Sequence, residues 1–413
     1  MTQNLSSFKI GNNSKESDDV VVSELCLTYH TVKHSLSYRS ADCAIKLSQS
    51  LFEDSKTCRS LRCGRTKMES LSEDILCPLS IEKQLKVLKE KKFSISSDAS
   101  NKGNVKLFPT AIQYFDVNIG INNFVIDFYE DSNEKSEAIY RHLLRSLKEN
   151  NLLIDNLIAF TGDNASVNYG VNHSVYRNLK EENNAIIKAN CNCHVLHNTI
   201  KFALLHLPFD IENLVLKVYS HFSISAKRVN DLKKCYEYCD QEFEVMKRHV
   251  VTRWLSLFPA VNRIVDNLNP LKSYFVGLGT DDCPQVINEF VWSDKFNGIT
   301  ICELYLYFVS HLMKLFHITI KTFEHKSTNA TNLFDLMWKM RTQLENRLNG
   351  KFFGSKVAEN LKYFDQNSRK EFERNAIKCY ERAIKYLCSH FDFNTSPFPF
   401  IFKTEFGLKS QIQ

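Results

Sequence analysis

An α/β fold is the prediction for this chain, and three observations carry it. Short β-branched and aromatic runs, each bounded by turn residues, crowd between Phe93 and Gly162. Apolar residues at helical spacing fill the intervals after them, as in residues 134–149. From His194 the pattern is helical, with few strand signals, as far as residue 390. A sheet domain followed by a helical domain is expected, with a shorter helical segment ahead of both.

Taken in order, residues 1–22 are rich in Ser, Asn and Asp without periodicity and read as a disordered tail. Residues 23–91 form a helical N-terminal segment interrupted by Ser and Cys. Within it, Ser80 to Lys92 places Ile81, Leu85, Val87 and Leu88 near helical spacing, with lysines on the other face. The period then changes. Phe93–Ser97, Lys106–Val117 and Gly120–Tyr129 read as three strands joined by tight connections, an antiparallel meander. Residues 134–149 form a helix buried through Ile139, Leu143, Leu144 and Leu147. A fourth strand over Ile154–Thr161, a helix over Ala165–Lys180, a fifth strand over Ala185–Ala189 and a helix from His194 to Leu207 follow. The order is βββαβαβα. A right-handed crossover puts the fourth strand beside the first. That is a ribonuclease H-like arrangement over residues 92–208, with an all-α region over 209–413.

The totals are consistent with this layout. Hydrophobic residues at 43% and charged residues at 24% describe an ordinary globular chain with a sizeable core. Phe is frequent at 30 and Gly scarce at 12, which favours packed helices over a loop-rich β protein. A net charge of +6 permits a polyanionic partner without demanding one. The 13 cysteines show no paired framework, and the N-terminus lacks a signal-type apolar core, so a reducing intracellular compartment is expected. No run is long and apolar enough to span a bilayer, so no membrane partner is expected. No phosphate loop, dinucleotide fingerprint or nucleophile elbow occurs, and no small-molecule substrate is indicated.

Two acids stand out. Asp98 ends the first strand and Asp163 the fourth. Open α/β sheets place ligands at the carboxyl ends of their strands. Two carboxylates on neighbouring strands make half of a divalent-metal site, with Mg²⁺ or Mn²⁺ as the matching ion. Asp163 can equally cap the helix that follows it, as can Asn164. Cys191, Cys193, His194 and His197 crowd within seven positions, yet four ligands on one helix start cannot converge on zinc, so zinc is not expected there. His30 and His34, four apart with no acidic partner nearby, read as surface histidines. Cys58 and Cys63 lack the two-residue spacing of a zinc knuckle. Trp254 and Arg253 sit in a basic neighbourhood with Lys247, Arg248 and His249. There the tryptophan reads as a large aromatic anchoring the helical region to the core. The amphipathic segment Leu333 to Leu348 reads as a core helix.

Several stretches, in order, carry a resemblance. They are Tyr29-His-Thr-Val-Lys-His34, Ser37-Tyr38, Gly64-Arg-Thr-Lys67, Ser97-Asp-Ala-Ser-Asn101, Gly162-Asp-Asn-Ala-Ser-Val-Asn-Tyr-Gly170, Cys191-Asn-Cys-His194 and Val251-Thr-Arg-Trp-Leu-Ser-Leu257. As an ordered set over residues 23 to about 400, the sequence resembles the hAT transposase superfamily, in particular its relatives fused to zinc-finger proteins. The resemblance implies a ribonuclease H-like core interrupted by a helical insertion, and metal-dependent cutting and joining of DNA by an Asp, Asp, Glu triad. Asp98 matches the first acid and Asp163 the second. Cys191 and His194 match a Cys-x-x-His element beside the site. Trp254 matches a tryptophan that stacks on a flipped base, and Arg253 beside it adds positive charge for a phosphate contact. The family's third acid lies in a Ser-Glu-Arg context, and no such stretch occurs here; Glu303 and Glu324 carry no motif. The family's N-terminal zinc finger and C-terminal dimerisation region also lack counterparts. The expectation is a domesticated, transposase-derived chain, truncated before the last catalytic helix and located in the nucleus or nucleocytoplasm. It would be catalytically incomplete, with residual DNA binding or a protein-interaction role. The alternative is a metal-dependent strand-transfer enzyme with an unidentified third acid. No oligomeric state follows from the sequence.

Overall fold

The computed structural model describes residues 15–250, 256–293, 295–325 and 330–393. It is a mixed α/β structure that divides into two compact units, with the boundary between Asn190 and Cys191.

The first unit opens with helices α1 (Lys15–Lys33), α2 (Tyr38–Leu51), α3 (Lys56–Ser60) and α4 (Arg65–Ser70). A π-helical turn over Leu71–Leu76 leads from α4 into α5 (Cys77–Leu88). Residues 15–22, expected within an unstructured tail, are helical. The reason is packing, because Val20 and Leu27 dock on a small core of Ala41, Ile45, Leu61, Cys63 and Met68. Buried Glu24 ties α1 down, accepting from the Arg62 amide at 2.8 Å and from Lys67 Nζ at 2.5 Å. In α5, Leu88 is fully buried while Val87 faces solvent, so Val87 drops out of the expected apolar stripe.

The sheet contains β1 (Phe93–Ser97), β2 (Ser100–Lys102), β3 (Val105–Asp116), β4 (Gly120–Glu130), β5 (Leu157–Gly162) and β6 (Ile187–Asn190). Its order is β4-β3-β1-β5-β6, with short β2 pairing β3 past the end of β1. β3 runs antiparallel to β1 and β4, whereas β5 runs parallel to β1 and β6. The meander and the placement of β5 beside β1 follow the sequence reading. β2 was expected only as a turn. Gly103, at φ +63°, closes a hairpin tight enough to add three paired residues. At the other hairpin, Asp116 Oδ1 accepts from the amides of Asn118 (2.9 Å) and Ile119 (3.2 Å), fixing the β3–β4 turn.

Helices α6 (Ser136–Glu149), α7 (Ser166–Tyr169) and α8 (Val175–Glu182) complete the unit. Ile139, Leu143 and Leu147 of α6 join Val175 and Leu179 of α8 over Phe93, Ile95, Ile112, Leu157 and Phe160. The opposite side of β3 and β4 carries Phe115, Ile121, Val125 and Phe128, each close to half exposed. The single helix expected over 165–180 is two. Helix α7 stops at Gly170, where any Cβ would stand 2.6 Å from the Ser166 carbonyl oxygen. Ser174 then restarts the chain as α8, its hydroxyl accepting from the Arg177 amide.

The second unit contains α9 (Asn192–Leu204), α10 (Ile211–Ser223), α11 (Ala226–Tyr238), α12 (Leu257–Asp266), α13 (Leu268–Leu278), α14 (Gln285–Trp292), α15 (Ile301–Phe323), α16 (Ala330–Asn349), α17 (Ser355–Leu361) and α18 (Gln366–His390). A two-stranded hairpin, β7 (Lys295–Phe296) and β8 (Ile299–Thr300), precedes α15. Leu304, Leu306, Phe308, Val309 and Leu312 are all fully buried, so α15 is apolar nearly all round and forms the spine of the unit. Met337, Met340 and Leu344 bury one stripe of α16, as its pattern required. Helix α9 belongs here and packs against α15 and α18. Arg382 of α18 donates to the Phe202 carbonyl and lies 3.9 Å from the Phe202 ring centroid. No helix among the described residues is long and apolar enough to cross a membrane.

Candidate functional site

The two acids singled out by sequence are placed by the sheet of the first unit. Asp98 directly follows β1 and is exposed, and Asp163 directly follows β5 and is half-buried. β1 and β5 are adjacent and parallel, with Ile95 opposite Phe160 and Ser96 opposite Thr161. Continued by two residues, that register sets position 98 level with position 163. Neighbouring strands lie about 4.8 Å apart, so both acids rise from one short stretch of the sheet's carboxyl rim.

Local chemistry holds Asp163. Its Oδ1 accepts from Asn168 Nδ2 at 2.7 Å and from the Ala165 amide at 3.2 Å. Asn168 is itself buried and also reaches the Asp163 carbonyl at 3.4 Å. Gly162 is required beside it, because a Cβ there would fall 2.8 Å from Asn168 Nδ2. The Tyr169 hydroxyl accepts from the Gly162 amide at 2.9 Å and points at the carbonyls of Phe160 (3.1 Å) and Ala189 (3.0 Å), lacing the ends of β5 and β6 together. The stretch from Gly162 to Gly170 is thus a cradle for one carboxylate. Asp163 folds back on its own loop and does not cap a long helix.

A pair of carboxylates fits part of a divalent-cation site, for hard cations favour such oxygens. Among the described residues, no group of three His, Cys, Asp or Glu side chains is placed to hold a metal.

Cys191, Cys193 and His194 gather at the start of α9, in the second unit. A hydrogen bond from the Cys193 thiol, with a further one from His194, holds the Cys191 thiol well below its usual range, and the Cys193 thiol is raised in turn. Arg253 and Trp254 lie outside the described residues. His30 and His34 are exposed, their ring centroids 4.6 Å apart. Glu303 is structural. It is buried next to Lys272 Nζ at 2.5 Å, and its amide is capped by Thr300 Oγ1 at 3.1 Å.

One site escaped the sequence reading. A cavity of about 250 Å³ lies within the second unit, walled by α9, α10, α12 and α15. Leu196, Ile200, Leu204, Met313, Phe316 and Ile320 make its apolar wall. His197, Lys201, Asp210, Glu212, His249 and His317 are its polar lining. His249 is pinned on both sides, with Nε2 2.9 Å from Glu212 Oε1 and Nδ1 2.8 Å from Ser256 Oγ. The bond to His249 holds the Glu212 carboxyl below its ordinary range. Burial, with the positive charges of His194 and Lys201 nearby, lowers the His197 pKa. Helical spacing could have shown His197 and Lys201 on one side of α9. Nothing in the sequence pairs Glu212 with His249.

The chain matches no protein-family model and no curated protein sequence.

Proposed function

We propose that this chain is a transposase-derived protein of the hAT kind. Its sheet is read as a ribonuclease H-like core, and Asp98 and Asp163 as the counterparts of that family's first two acids. The observation that carries the reading is the placement of both aspartates immediately after adjacent parallel strands that pair as far as Ser96 and Thr161. The strand order, with three antiparallel strands followed by two parallel ones, supports it. So does the cradle around Asp163, built from the same Gly162 to Gly170 stretch that carries the resemblance.

The biochemical role we assign is association with DNA, without strand cleavage by this chain alone. Two carboxylates hold a divalent ion weakly, and the family's third acid has no counterpart in a Ser-Glu-Arg stretch. Mg²⁺ or Mn²⁺ at such a rim would activate a water or a 3′-hydroxyl and stabilise a leaving oxygen. This chain's own contribution is to fix one carboxylate through Asn168 and to raise the other from the end of the neighbouring strand. A nuclear or nucleocytoplasmic location belongs to the same proposal.

The test has two arms. Mn²⁺ binding followed by paramagnetic resonance should weaken in both Asp98→Asn and Asp163→Asn; equal binding in all three proteins would remove the assignment. Binding to a duplex should weaken steeply between about 50 and 200 mM salt, as phosphate-directed binding does. Binding that ignores salt, or none at low salt, sinks the DNA role. The second reading is a metal-dependent strand-transfer enzyme completed by another acid. It predicts Mn²⁺-dependent nicking that disappears in Asp98→Asn.

A further inference from the structure

The cavity of the second unit has unequal polar groups. Both carboxylates on its lining are engaged. Glu212 is bonded to His249, and Asp210 Oδ1 accepts from the Asn213 amide at 2.9 Å as the cap of α10. The cation is not engaged in that way. Among the described residues, the Lys201 ammonium forms no ion pair or hydrogen bond, and the His197 ring forms no hydrogen bond. These two sit on one side of α9, four positions apart; His194 and Lys201 bear on His197 as positive charges, and the Glu212 carboxylate is the negative charge that opposes them. The remaining wall is aliphatic and aromatic. The space therefore has an apolar body and one end where Lys201 and His197 face a single carboxylate, Glu212, whose hydrogen bond is already taken by His249.

We propose that this cavity binds a small monocarboxylate with an apolar or aromatic tail, its carboxylate at Lys201 and His197 and its tail between α9 and α15. Size bounds the ligand. A cavity of about 150 Å³ accepts a benzene ring, and drug-sized ligands need about 300 Å³ or more. A volume of about 250 Å³ suits a ring with a short acidic chain, or a medium-length fatty acid. The apolar wall supplies affinity by area, and the lysine supplies the choice of head group. The site does not depend on the DNA reading, since it uses neither Asp98 nor Asp163.

The experiment is calorimetry on the full chain with 3-phenylpropanoate and with its neutral analogue 3-phenylpropanol. The acid is expected to bind at least ten-fold more tightly than the alcohol. Lys201→Met, at an exposed position that should not disturb folding, is expected to abolish that preference while keeping the alcohol's affinity. Leu204→Trp, which fills the space, is expected to lose both ligands. The proposal is overturned if neither compound binds at millimolar concentration, if the wild type does not prefer the acid, or if Lys201→Met keeps the preference intact. Because Lys201→Met leaves the wall unchanged, the proposal stays testable even where Leu204→Trp fails to fold.

Discussion

Asn168 is the residue on which the geometry of Asp163 turns, and its removal has a calculable cost. Asn168→Ala deletes a donor 2.7 Å from an anionic oxygen at a position that is 8% exposed. A hydrogen bond to a charged group contributes about 1.5–3 kcal/mol, so a loss of about 2 kcal/mol is expected. For a unit of this size that corresponds to a drop in Tm of about 4–8 °C. Asn168→Asp is the sharper probe. It sets a second carboxylate against Asp163, and like charges at that distance force one of the pair to keep a proton. The folded pKa of that carboxyl then lies above its unfolded value. The native state binds more protons than the unfolded state as pH rises through the unfolded value, so stability falls with rising pH. Asn168→Asp should be less stable than Asn168→Ala at pH 8 and recover toward it near pH 4. Gly162→Ala should resemble Asn168→Ala, since its Cβ would push Asn168 away. Urea unfolding at three pH values measures all of these. An Asn168→Ala cost under about 0.5 kcal/mol, with an Asn168→Asp profile parallel to wild type, would refute the view that Asn168 holds Asp163.

Three further outcomes follow from the second unit. Lys272→Met strands the carboxylate of Glu303, whose side chain is 3% exposed, and should cost about 3–5 kcal/mol in denaturant unfolding; the double change with Glu303→Gln should recover part of that loss. His221, buried against the Tyr274 hydroxyl at 2.9 Å, titrates at about 4 because burial disfavours its imidazolium. An unfolded histidine protonates near 6.5, so this contribution is complete above about pH 6.5 and lost as pH falls toward 4. In a pH series of unfolding curves, His221→Phe should flatten that acid limb. Gly354→Ala should destabilise by about 2 kcal/mol, because φ is +113° there and the new Cβ would stand 2.9 Å from the His311 ring. Adding His311→Ala should remove the clash without relieving the backbone strain.

Periodicity revealed what depends on neighbours in the chain. The strands at Phe93, Val105 and Gly120, helix α6 and both rim acids were readable because burial alternates or repeats locally. The break at Gly170 was hidden, since helical spacing continues on either side of a glycine whose constraint is the carbonyl of Ser166. The start of helix α1 carries no periodic signal, because Val20 makes sense only against residues from α2 to α4. Val87 fits the helical spacing and still faces solvent, because a pattern of apolar residues does not say which of them meets the core. The cavity was out of reach for the same reason. Glu212, His249 and His317 come from distant stretches, and only packing brings them to one wall.

The pairing of β1 with β5 encloses the whole of β2, β3, β4 and α6 between its two strands. Hairpins close in about 1–10 μs, whereas a contact across so long a loop carries a larger entropic penalty and forms later. By that penalty the β1–β5 rim is expected to close after the hairpins beside it. A cation bridging Asp98 and Asp163 would act as a clasp on that last seam. Its binding would slow the opening of the two parallel strands more than the opening of the hairpin beside them.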